Sequence, residues 1–228
     1  MHDHDFRSLA DGVAIPYGVD DLSTNWGRIT IGTSRNTPAF AAESMRRWWR
    51  RQGRPRYPHA SHLLSLAGNG GSNGAATALW VEVGQGNLAG RFGLYVTAGH
   101  YPAGASKWNT PERRLFSEIS KRWAGEPLVD YSSVERLARE TRTTPGLTVS
   151  CLLDARRDSQ GIKLIPERLK QIRPHRHSVL PPWNGPILPN QSQNQFLPAA
   201  LANGFPNLEK SSDFFPTGCP TWIRTMTG

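Results

Sequence analysis

The stretch that most restricts the fold is SKWNTPERRLFSEI, residues 106–119. It follows a run of Pro, Ala and Gly from Pro102, where neither helix nor strand propagates. Asn109, Thr110 and Pro111 then supply a helix start: a capping side chain, and a proline whose missing N–H is harmless in the first turn. Glu112 is thereby placed at the N-terminus of a helix expected to run to about Trp123. Two readings of Glu112 stand. A carboxylate there interacts favourably with the helix dipole. A rigid helix start is equally a place from which a carboxylate can be held towards a metal ion.

Upstream, VAIPYGV (13–19) and GRITIGT (27–33) are short apolar or alternating runs, with a segment of turn composition, DDLSTN, between them. Together they predict a β-hairpin, in which Asp20 and Asp21 read as turn formers. Thr37-Pro38 opens a helix through AFAAESMRRWWRRQG, with Met45, Trp48 and Trp49 on its apolar side and Phe40, Ser44, Arg47 and Arg51 on another. Its arginines, Arg46, Arg47, Arg50 and Arg51, continue to Arg54 and Arg56 and are candidates for phosphate contact. The tryptophans read as core.

HLLSLAG (62–68) predicts a buried-type strand running into the glycine-rich loop GNGGSNG. That loop lacks the Lys-Ser/Thr ending of a phosphate-binding P-loop, which argues against a nucleotide site. The next stretch should be helical by position, but Gly84, Gly86 and Gly90 each cost about 1 kcal/mol relative to alanine and predict a weak or broken helix. LYVTAGHYP (94–102) reads as a strand, PLVDYSSVERLARETR as a helix capped by Ser132 or Ser133 with Val134, Leu137 and Ala138 inward, TPGLTVSCLLD as an extended arm and IPERLKQI as a short helix. From Gly185 onward six prolines and polar runs without periodicity predict disorder.

Charge narrows the partners. The chain carries 27 Lys and Arg against 18 Asp and Glu, a formal +9, which suits a polyanion. Cys151 and Cys219 are too few and too far apart for a disulfide framework or a metal-ligand spacing, and suit a reducing compartment. No apolar run reaches the roughly 20 residues of a membrane span, so no membrane partner is expected. The alternating His2, Asp3, His4 and Asp5 read as a solvated terminus rather than a metal cluster.

HLLSLAGNGGSNG followed by PAGASKWNTPE resembles a paired motif of the Rhodopirellula-type DDE transposase family: Leu-Leu-Ile-Thr-Ala-Asp-Gly-Gly-Gly-Ser-Asn-Gly, then Pro-Pro-Gly-Thr-Ser-Lys-Trp-Asn-Lys-Ile-Glu. The resemblance runs from about Asp3 to Asn184 and includes Arg176, His177, Trp183 and Asn184 near its end. It implies an α/β, ribonuclease H-like mixed sheet flanked by helices over residues 13–184, between a flexible N-terminus (1–12) and a tail (185–228) foreign to the family. It further implies three carboxylates holding two Mg²⁺ or Mn²⁺ ions for phosphodiester displacement, with DNA as partner, in a cytoplasmic, nucleoid-associated protein.

The departures weigh as much as the matches. Glu112 matches the third carboxylate and is the implied metal ligand, but Gly68 occupies the second aspartate position. Asn69 is no substitute, since a one-residue shift turns a strand side chain to the other face. The first aspartate belongs to a central strand upstream of the point where this sequence begins, so the fold is expected to lack that strand and leave a gap in the sheet. Nucleic-acid contacts fall to Arg46, Arg47, Arg50, Arg51, Lys107 and Arg113. The expectation is an insertion-sequence transposase without strand-transfer activity. The alternatives are a non-enzymatic basic nucleic-acid-binding protein, using also the cluster from Arg173 to His177, or an unfolded pseudogene product. His100 is read as a supporting or packing residue.

Overall fold

The computed structural model describes residues 12–68, 80, 83–101, 111–157, 184–187 and 221–227. IPERLKQI, the cluster from Arg173 to His177, Lys107 and the glycine-rich loop after Gly68 lie outside them. Strands β1 (Ile15–Asp21) and β2 (Trp26–Gly32) form the expected hairpin, with Ile15 opposite Gly32 and Asp21 opposite Trp26. The turn is therefore residues 22–25; Asp20 and Asp21 end β1, and Asp21 still shapes the turn, its Oδ1 accepting from Ser23 N–H at 3.1 Å. Asn25 takes the left-handed conformation at φ 54°, which asparagine tolerates better than most residues. Its amide donates to Pro145 O at 2.9 Å, and Arg114 donates to its Oδ1.

Helix α1 (Pro38–Trp48) starts where the sequence places it: Thr37 Oγ1 accepts from Phe40 N–H at 3.1 Å, and Pro38 occupies the first turn. The helix continues through a wide, π-type stretch, Trp49–Gly53, into a last turn, Arg54–Arg56. Trp48 and Trp49 are buried, as expected, and Phe40 joins them in the core instead of facing the arginine side. Strand β3 (His62–Gly68) follows. The glycine-containing segment before β4 holds a π-type stretch, Gln85–Gly90. Gly93, at φ 66°, then lets Leu94 N–H reach back to Ala89 O at 3.0 Å, a Schellman-type ending that brings the chain into β4 (Tyr95–Tyr101).

A third π-type stretch, Glu112–Phe116, leads into α2 (Ser117–Trp123), which ends where the spacing predicts. Helix α3 (Tyr131–Arg139) buries Val134, Leu137 and Ala138, but its cap is Asp130, whose Oδ1 accepts from Ser133 N–H at 2.6 Å, not Ser132 or Ser133. Asp130 precedes the first helical residue and so occupies the capping position that the serines have already passed. The extended arm becomes β5 (Thr148–Asp154), followed by β6 (Asn184–Ile187) and β7 (Thr221–Thr227).

These strands form one mixed sheet in the order β5-β2-β1-β7-β3-β4-β6. β2 is parallel to β5, and β3 is parallel to both β4 and β7. β7 is also antiparallel to β1, and β6 to β4. The fold is mixed α/β. One face is covered by α1 over Tyr17, Val19, Leu63, Val96 and Leu94. On the other, the 112–116 stretch, α2 and α3 cover Ile29, Ile31, Val149 and Cys151. Strand alternation explains the division, since Tyr17 and Val19 face one way while Gly18 and Asp20 face the other.

The tail departs from the expectation of disorder at β6 and β7. β7 lies between β1 and β3, so the expected gap is occupied by a strand from the C-terminal end of the sequence. Thr-Trp-Ile-Arg-Thr-Met-Thr is rich in strand-forming types, yet which strands it would join is a long-range matter that local composition does not state. Among the described residues no helix is long and apolar enough to cross a membrane.

Candidate catalytic face and cationic surface

Parallel strands bring chemistry to their carboxyl ends, and here those ends are Gly68 on β3 and Tyr101 on β4, paired directly. Thr225 of β7 is opposite both Ala67 and Val19. One step further along, the row crossing the sheet at Gly68 passes Met226 of β7 and Gly18 of β1. It contains two glycines and no carboxylate. Asp20 lies two residues away along β1, about 7 Å at strand rise, opposite Arg224.

Glu112 begins the stretch that packs on this same side of the hairpin. Leu115 is fully buried, and the approach is close because two positions beneath it are glycine. A Cβ on Gly18 would stand 2.6 Å from Phe116 Cε2, and one on Gly27 would stand 2.5 Å from Leu115 Cδ1. The hairpin thus seats the turn that carries Glu112.

Mg²⁺ requires hard oxygen donors, and a two-ion centre needs several carboxylates around it. Of the two motif positions in this sequence, Glu112 keeps its carboxylate while Gly68 has no side chain. β7, the strand beside β3, contains no acidic residue. Among the described residues no three His, Cys, Asp or Glu side chains are grouped to hold a metal. Among the described residues the donor set does not fit a pair of divalent ions.

The arginines divide into two groups. Arg46 donates to Glu43, and Arg47 Nε donates to Glu43 Oε1 at 2.8 Å, its Nη1 also lying 3.4 Å from Asp154. Asp154 is bound again by Arg156 at 2.6 Å. Burial favours protonation of both acids, but hydrogen bonds from Arg46 and Arg47 hold Glu43 below its ordinary pKa, and Arg156 does the same for Asp154. Arg46 and Arg47 are therefore engaged inside the protein. Arg50, Arg51 and Arg113 are exposed. Arg56 is also exposed and stacks its guanidinium 3.8 Å over the Trp26 ring.

Sequence reasoning passed over Arg28, which is 5 % exposed on β2. The signal was present in GRITIG, where alternation with Ile29 and Ile31 puts Arg28 on the opposite, α1-covered face. It also gave Asp20 and Asp21 no role beyond the turn, although both are buried; Asp21 accepts from Tyr57 Oη at 3.0 and 3.1 Å. Burial, and after it the Asp21 charge, pushes the Tyr57 phenol up to about 12.

The family model for the Rhodopirellula transposase DDE domain matches residues 1–189. No curated protein and no solved structure matches the chain.

Proposed function

Because the chain belongs to the Rhodopirellula transposase DDE domain family, we propose that it is a DNA-binding transposase domain whose strand-cleaving chemistry is lost. The observation that carries this reading is Gly68. A carboxylate position on the strand next to the sheet's centre has no side chain, and the neighbouring β7 supplies none. Glu112 retains the role of third carboxylate in this reading, but with Gly68 at the second position the set that holds two ions is broken. On this reading the Mg²⁺ or Mn²⁺ binding implied by the family is lost with that carboxylate.

A ribonuclease H-like arrangement is supported by the order of elements: an antiparallel hairpin, a helix, and two parallel strands with a glycine-broken helical segment between them. The DNA partner is supported by the formal +9 charge and by the exposed Arg50, Arg51, Arg54 and Arg113. A cytoplasmic, nucleoid-associated location goes with that partner.

The test is a plasmid-nicking assay in Mg²⁺ and Mn²⁺, run beside duplex binding at several salt concentrations. Binding that weakens steeply with salt, without metal-dependent nicking, is the expected result. Nicking abolished by Glu112→Ala would overturn the loss of chemistry. Absence of duplex binding at low salt would overturn the DNA reading.

A further inference from the structure

We infer that Arg28, Arg51, Gln52 and Ser150 form a binding site for a single phosphate group. Arg28 projects from β2 under the 49–53 stretch and is almost wholly buried, and its Nε is buried without a hydrogen-bond partner. Two other buried charges on this face have ion-pair partners, Glu43 in Arg46 and Arg47 and Asp154 in Arg47 and Arg156, while Asp21 is held by the Tyr57 hydroxyl. Among the described residues no carboxylate forms an ion pair with Arg28.

The cations near Arg28 make its burial more costly. Desolvation, then the charges of Arg51 and Arg47, bring the Arg28 pKa down to about 10, which still leaves the guanidinium charged at neutral pH. A buried charge without a counter-ion costs several kcal/mol, and an anion of fitting geometry removes that penalty. The surrounding donors suit a tetrahedral oxyanion. Ser150 is the direct neighbour of Arg28 across the β2–β5 ladder, and Gln52 Nε2 donates to its Oγ at 2.9 Å. Gln52 has a second amide hydrogen to give, and guanidinium groups offer paired N–H donors matched to phosphate oxygens. β5 is an edge strand and Arg51 is exposed, so the cluster reaches from the buried Arg28 to the surface.

A phosphodiester of DNA and free inorganic phosphate share this chemistry, and the site does not depend on which one fills it. Only the choice of a backbone phosphate rests on the DNA reading above. The experiment uses the full chain, with thermal unfolding in inorganic phosphate against sodium chloride of equal ionic strength, and phosphate titration followed by ³¹P NMR. The expected result is saturable line broadening and a Tm rise of about 3–6 °C near ten times Kd. Arg28→Met should abolish both effects without lowering Tm in chloride, because it removes an uncompensated buried charge. Arg28→Lys, which keeps a charge but not the fork, should weaken the phosphate response, as should Arg51→Gln. Equal Tm in phosphate and chloride, or an Arg28→Met response equal to that of the unaltered chain, would overturn the site. Duplex binding by the same variants separates the sources. A parallel loss of DNA affinity and phosphate response in Arg28→Met assigns the site to the backbone, and loss of the phosphate response alone assigns it to a free phosphate. A phosphate response without any DNA binding supports the site and refutes the DNA reading.

Discussion

Asp20 has no exposed surface, and the residue opposite it across the β1–β7 ladder is Arg224. A carboxylate held this far from water depends on partners in the surrounding fold. Asp20→Ala is therefore expected to lower stability by about 1–3 kcal/mol in urea unfolding; an unchanged or raised midpoint would show that burying the carboxylate costs more than its surroundings return. Acid dependence has another source. Glu43 and Asp154 are held below their ordinary values of 4.5 and 3.8, so their contribution is complete above those values and is lost as pH falls towards their lower folded pKa values. The urea midpoint should thus be steady down to about pH 5 and decline below it, with a shallower decline in Glu43→Gln. Cys151 is 7 % exposed, and burial pushes its thiol up to about 12. A thiol reagent at pH 8 should label Cys151 only after unfolding, which mass spectrometry of the labelled peptide would establish. At this scale the sequence was a partial guide. DDLSTN has turn composition throughout, and composition cannot say that the first two acids belong to the strand.

Where an element begins was more legible than how it continues. Thr37-Pro38 and the end of α2 at Trp123 could be read directly, because caps and prolines act locally. Thr37→Ala should cost about 1 kcal/mol, measurable as a lower urea midpoint. The widened turns at 49–53 and 112–116 carry no such local signal. The second of these is seated by Gly18 and Gly27, whose importance depends on what packs over them. Gly27→Val should displace Leu115 and destabilise by about 1–3 kcal/mol. Gly86, with open space around it, should accept Ala with no such penalty; equal losses at both positions would mean that glycine serves the backbone and not the approach. For the candidate site, motif spacing singled out Glu112 and Gly68. The sheet adds that Gly18 lies in the same row as Gly68, a long-range fact no motif contains.

For the molecule as a whole, the decisive pairing joins strands more than 150 residues apart in sequence, β1 and β3 with β7. Sequence patterning gives strands but not their partners, and within a proline-rich tail it does not single out a segment of Thr, Trp, Ile and Met. Deleting residues 188–228 should strip ladder bonds from both β1 and β3. The coincident transitions in circular dichroism and tryptophan fluorescence expected for the full chain should then give way to a non-cooperative slope. A sharp transition in the shortened chain would instead mean that β1 and β3 close on each other. Translation gives this arrangement a further consequence. The ribosome makes β7 after the six other strands, so the hairpin and β3 leave the exit tunnel with two ladder edges facing one another and nothing between them. Each nascent chain must keep those edges from neighbouring polypeptides until its central strand arrives. Exposure during synthesis should therefore depend on the time needed to translate residues 188–220, and slowing elongation across that interval should increase aggregation in the cell without altering the finished protein.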